Sequence, residues 1–223
     1  MSFHPEVMPE TQQTMLRSLA SIVADREMYL AGGTALAIQL GHRRSVDLDW
    51  FSPSAIEPMA LAADLRSAGI PFQVTDVDKG TLHGKAGGVK LSFLEYRFPD
   101  LVPPIEWPDY GVRLAALEDL ACMKLSAIGG RGSKKDFIDV FTLGREKFTL
   151  DQMLSLYGQK YEIADLGHTL FALAYFDDAE QDETPEMLWQ VDWDEVKAVV
   201  QGWVKDYTQK KAPPQSGGRE IRP

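Results

Sequence analysis

The sequence predicts an α+β protein, with its strands in the N-terminal half and helices alone in the C-terminal half. Two observations predict this. Apolar and polar residues alternate with period two in several short runs between residues 28 and 96. From residue 116 onward, apolar residues recur instead at spacings of three and four. The expected organisation is a core over 1–114, a helical domain over 115–206, and a disordered tail over 207–223. The tail is too polar and too rich in Pro and Gly to fold.

The elements follow in order. Residues 11–26 carry Met15, Leu16, Leu19, Ile22 and Val23 at helical spacing. Residues 28–31 form a short apolar strand, and Gly32-Gly33 turns it into a helix over 34–42. That helix is mostly apolar and should be well buried. A second strand, 46–51, is stopped by Ser52-Pro53. An amphipathic helix over 58–68 ends at Gly69. Three runs, 72–78, 81–85 and 89–96, are separated by Lys79-Gly80 and Ala86-Gly87-Gly88 and read as an antiparallel meander. The proline-rich stretch 99–108 reads as a loop, and 111–114 as a short strand. Helices are expected over 116–128, 134–145, 149–160, 165–175 and 193–206. No internal repeat is present.

Composition narrows the function. With 44% hydrophobic and 25% charged residues, this is an ordinary soluble globular chain. No apolar run approaches the roughly 20 residues of a membrane helix. Residues 1–7 lack a basic region followed by an apolar core, so no secretory signal is expected. The single cysteine, Cys122, rules out an internal disulfide framework, fits a reducing cytoplasm, and reads as a core thiol. The net charge of −10 argues weakly against broad nucleic-acid binding. Much of it comes from a block of nine acids between Asp177 and Glu195 that contains no Lys or Arg. That block reads as a solvated acidic loop, or as a surface that meets a basic partner or shields a site.

The chemistry concentrates in Tyr29 to Phe51. A Gly32-Gly33-Thr34 turn at a helix N-terminus is a phosphate cradle, or simply a strand-to-helix turn. Asp47 and Asp49 lie at i and i+2 of a strand, so both carboxylates point one way, about 7 Å apart. Val46, Leu48 and Trp50 fill the other face. Such a pair can hold one divalent ion, or bridge two ions about 3.5–4 Å apart. Hard ions such as Mg²⁺ or Mn²⁺ accept one or two carboxylates plus substrate phosphates. His4, His42, His83 and His168 are scattered and suggest no zinc site. Arg43 and Arg44 form a basic turn just before the carboxylates and read as solvated or phosphate-contacting. Lys124, Lys135, Asp136 and Asp139 form a second constellation: Lys124 lies at the edge of a buried helix stripe, and Asp136 and Asp139 share one face of the next helix, which reads as a structural ion pair or as part of the site.

The Gly32-Gly33-Thr34 and Asp47-Leu48-Asp49 segments resemble the first signature of the DNA polymerase beta-like nucleotidyltransferases. The fuller AGGTALAIQLGHRRSVDLDWF, with GVKLSFLEY at 88–96 and MKLSAIGGRGSKKDFIDV at 123–140, is similar to the AbiEii/AbiGii toxin family. That resemblance implies a mixed sheet flanked by helices. It implies transfer of a nucleoside monophosphate from an NTP, with divalent metal, to an RNA acceptor, tRNA foremost. It also implies a toxin with a cognate antitoxin. Lys124 would then hold triphosphate oxygens, Asp136 would orient it or assist the acceptor, and Arg131 could join them. Protein modification, or a nucleotide- or partner-binding protein without catalysis, are the alternatives. One departure stands out: the superfamily's third carboxylate falls at Ser92. Alternation turns Glu95 to the opposite face, which leaves Asp136 as the favoured base, or no base at all and slow turnover.

Overall fold

A computed structural model describes residues 2–211. After a short 3₁₀ turn at Pro5–Val7, the elements are α1 (Glu10–Ala24), β1 (Tyr29–Ala31), α2 (Gly32–Leu40), β2 (Asp47–Ser52) and α3 (Pro58–Ser67). The strands β3 (Gln73–Asp78), β4 (Thr81–Ala86), β5 (Val89–Glu95), β6 (Ile105–Trp107) and β7 (Val112–Leu114) follow. The remainder is helical: α4 (Leu117–Gly130), α5 (Lys134–Glu146), α6 (Leu150–Tyr161), α7 (Gly167–Ala174), α8 (Asp177–Glu180) and α9 (Trp193–Lys211).

The seven strands form one mixed sheet in the order β3-β4-β5-β2-β1-β7-β6. The meander β3-β4-β5 is antiparallel as expected, and β5 continues parallel to β2. Strand β1 is antiparallel to β2 and parallel to β7. Leu48, Trp50, Leu91 and Phe93 point into the core, while Asp47, Asp49 and Ser92 point out of it. The helix after Gly32-Gly33 is as buried as its composition requires: every residue from Thr34 to Leu40 is buried. Cys122 is a buried thiol, pushed up to about 12 first by burial.

Three expectations are corrected. The stretch 99–108 is not all loop, because Ile105–Trp107 pairs with β7 at the sheet edge. An edge strand tolerates flanking prolines, since the outward N–H positions need no partner. The helix α2 begins at Gly32 rather than residue 34. The last helix runs to Lys211, five residues past 206, with Lys210 and Lys211 favourably placed at its negative C-terminal end. The rest of the expected tail, 212–223, lies outside the described residues.

Candidate active site

The outward face of β2 is the floor of a cleft of about 670 Å³, roofed by α4, α5 and the chain at 185–186. Strand β1 ends at Ala31 beside Asp49, so α2 starts directly under the carboxylates. Its first N–H groups have no side-chain cap and remain available as donors. Gly32 has φ +67°, and a Cβ there would come within 2.7 Å of the Asp49 Oδ2. A Cβ on Gly33 would collide with the Arg43 Nη2 and approach the Lys124 Nζ to 3.7 Å. Both positions therefore need glycine so that charged groups can close over the helix start. The Thr34 hydroxyl is buried, donates to the Asp47 carbonyl, and lies 2.7 Å from the Ser45 hydroxyl. It fastens the carboxylate strand to α2, leaving phosphate contact to the backbone.

Above the carboxylates lies a buried charge network built on α4 and α5. Asp139 is fully buried and receives the Arg43 Nε at 2.7 Å, the Arg43 Nη2 at 2.9 Å, and the Lys124 Nζ at 2.6 Å. The His42 ring nitrogen lies 2.8 Å away. Burial alone would raise the Asp139 pKa, but Lys124, Arg43 and His42 outweigh it and hold the carboxyl well below its usual range. Asp136 takes the Lys124 Nζ at 3.0 Å, the Arg131 guanidinium at 2.7 and 2.9 Å, and the Ser133 hydroxyl at 2.6 Å. It too is held low: the Arg131, Lys124 and Ser133 contacts outweigh its burial. Lys124 lines the cleft, tied from behind to both aspartates.

The third carboxylate is missing where the sequence says it is. Ser92 pairs with Asp49 in the register of β2 and β5. Glu95 lies over Gly80 and pairs with Arg97. Asp136 sits behind Lys124 and Arg131 with both oxygens engaged, so it orients those cations and is poorly placed to act as a base. Neither acid lines the cleft. The wall includes Lys135, from the second sequence constellation, and His83, whose significance the sequence pattern did not reveal.

Arg43 and Arg44 do not behave alike. Arg43 is buried against Asp139, whereas Arg44 reaches outward to the Glu186 Oε1 at 2.7 Å. The acidic block is therefore more than a solvated loop. Its start forms α8, and its middle straps the cleft mouth. The Arg44 N–H donates to the Glu186 carbonyl, the Leu188 N–H to the His42 carbonyl, and the Lys134 N–H to Asp182.

The cleft fits a divalent ion. The Asp47 Oδ1 is buried and has no hydrogen-bond partner, an acceptor that a cation would satisfy. Asp49 is pushed above the usual carboxylate range, first by burial and further by Asp47, with Ser92 opposing. Among the described residues no group of three or more His, Cys, Asp or Glu could hold a metal. The pair thus suits an ion whose remaining ligands come from substrate phosphates. Lys124, Arg131 and Lys135, beside this acidic floor, suit the phosphates themselves.

Comparison with known proteins identifies the family and the fold. The model described as nucleotidyl transferase AbiEii toxin, type IV TA system, matches residues 14–202. The uncharacterized protein aq_aa25 of Aquifex aeolicus (strain VF5) is 34% identical over 199 residues, covering 88% of this chain and 95% of that protein. The fold is similar to MenT4, nucleotidyltransferase toxin Rv2826c from Mycobacterium tuberculosis H37Rv, with a TM-score of 0.59 and 16% identity, covering 87% of this chain and 82% of that one. It is also similar to JHP933 from Helicobacter pylori, with a TM-score of 0.52 and 19% identity over 94% of each chain.

Proposed function

The chain belongs to the AbiEii nucleotidyl transferase toxin family, and from that premise we propose that it transfers a nucleoside monophosphate from an NTP to RNA, tRNA foremost. The observation that carries this reading is the pair of Asp47 and Asp49 beneath a cationic wall, with one Asp47 oxygen buried and without a hydrogen-bond partner. Asp47 and Asp49 would hold Mg²⁺ or Mn²⁺, which would supply charge neutralisation at the α-phosphate. The N–H groups of Gly32 and Gly33 would bind phosphate oxygens, aided by the positive end of α2. Lys124, oriented by Asp136 and Asp139, would neutralise the leaving pyrophosphate together with Arg131 and Lys135. The acceptor hydroxyl forms the new P–O bond as the bond to pyrophosphate breaks.

The local charge supports an RNA acceptor despite the acidic chain. Arg131 is 60% exposed at the cleft mouth and Lys135 lies beside it, where a polyanion would approach. No described helix is long and apolar enough to cross a membrane. Incubation with each α-labelled NTP and total cellular RNA tests the acceptor. Label in RNA supports the reading; label in protein alone indicates a protein acceptor. Binding of NTP with no label anywhere indicates a nucleotide-binding protein without catalysis, the reading that Ser92 favours. Growth arrest on expression in the native host, with the neighbouring gene deleted and relieved by Asp47→Ala, tests the toxin role and the presence of an antitoxin.

A further inference from the structure

Asp47 and Asp49 are committed to the metal and Glu186 at the cleft mouth to Arg44, yet one further side chain stands where a base could act. We propose that His83 takes the proton from the attacking acceptor hydroxyl. This rests on the nucleotidyl-transfer reading. Strand register sets the argument: Asp49 on β2 pairs with Ser92 on β5, and Ser92 pairs with His83 on β4. Paired residues share a face, so the three form one row across the sheet, with strands about 4.8 Å apart. All three line the same cleft. Ser92 is short, so an imidazole one strand further out can lean over it toward a substrate held at Asp49.

His83 is also the histidine left uncommitted. His4 bonds Glu6, His42 bonds Asp139, and His168 meets the Gly129 carbonyl, while His83 has no such side-chain bond among the described residues. It is half-buried on the outward face of β4, with Leu82 and Gly84 turned to the core. The step balances. The hydroxyl oxygen bonds the α-phosphorus, the bond to pyrophosphate breaks with its electron pair, and the proton passes to the imidazole and then to water. The charged groups on the same sheet face as His83 are Asp76 and Asp78 on β3, Lys85 on β4, Lys90 on β5, and Asp47 and Asp49 on β2; Arg43, Arg44, Lys124, Arg131, Lys135 and Glu186 line the rest of the cleft.

The test is pyrophosphate release with saturating RNA and Mg²⁺–NTP as a function of pH, for wild type, His83→Gln and Asp49→Ala. For His83→Gln the expected result is a kcat about 10²-fold lower with NTP KM nearly unchanged, and loss of the acid limb of the wild-type profile. Its melting temperature should match wild type, since the ring is half-buried and makes no side-chain bond. His83→Gln with the wild-type rate and acid limb, in a preparation where Asp49→Ala is dead, overturns the role of His83 alone. Wild type that binds NTP but releases no pyrophosphate overturns both this role and the transferase reading.

Discussion

Arg43 grips Asp139 with two parallel hydrogen bonds, Nε to Oδ1 at 2.7 Å and Nη2 to Oδ2 at 2.9 Å, across 96 residues of sequence. This fork ties the turn before β2 to α5. It also fixes the wall above Gly33, because the same Nη2 occupies the space a side chain there would need. Arg43 is therefore a positioning residue for the cleft.

Removing the anion at the centre of that network leaves Arg43 buried without a carboxylate partner and Lys124 with Asp136 alone. Asp139→Ala should cost about 3–5 kcal/mol of stability. The pH dependence has a definite sign. A carboxyl held below its unfolded value binds fewer protons folded than unfolded. Its stabilisation is complete above the ordinary value of 3.8 and is lost as pH falls below that toward the depressed folded value. Urea titration between pH 2 and 7 should show wild type losing stability at the acid end, and Asp139→Ala losing less there.

Gly33→Ala places a methyl group against an arginine that Asp139 holds still. Stability should fall by about 1–3 kcal/mol and NTP binding should weaken, as read by calorimetry. Gly202→Ala on α9 is the control: a Cβ there meets nothing within 4 Å, so NTP binding should hold and stability should rise by up to about 1 kcal/mol rather than fall.

Two carboxylates on the one half-buried face of β2 repel each other without a cation. Asp49 sits above its usual range first through burial and then through Asp47. Its raised value means that its ionisation above that value costs the apo fold stability. Asp49→Asn should raise the melting temperature without metal by about 2–4 °C, equivalent to roughly 1 kcal/mol. Mg²⁺ should raise the melting temperature of wild type but not of this variant.

The strap competes for a cation at the cleft mouth. Arg44 and Glu186 are 38% and 68% exposed, so their pair contributes about 0–1 kcal/mol. Glu186→Ala should leave stability nearly unchanged and tighten NTP binding by up to about fivefold, because Arg44 is released. Arg44→Ala should weaken binding. Equal affinity in all three proteins would remove Arg44 from the phosphate site.

Legibility followed the range of the interactions. The alternation of Asp47, Leu48, Asp49 and Trp50 was readable because strand faces are set by neighbours in sequence, and the Ser92 register followed from the same rule; Val46, expected on the core face, instead precedes β2 and is exposed at the cleft wall. The edge position of Lys124 on its helix stripe was readable for the same reason. The Arg43–Asp139 fork was not, because only the packing of α5 over α2 brings them together. His83 was hidden likewise: its value comes from a row across three strands, which no single-strand pattern contains. The strap was hidden because its backbone bonds to His42 and Arg44 replace the solvation that its composition suggests. Strand β6 is three residues between prolines, too short for any period to appear.

The central claim is that Asp47 and Asp49 together form the reacting centre for nucleotidyl transfer. The direct measurement is pyrophosphate released and label transferred from α-labelled NTP, with Mg²⁺ and RNA, by wild type, Asp47→Asn and Asp49→Asn at matched folded concentration. The account predicts equal amounts of pyrophosphate and transferred label from wild type, both lost with chelator, and at least about 10²-fold less from either variant. Transfer at the wild-type rate by either folded variant would contradict it.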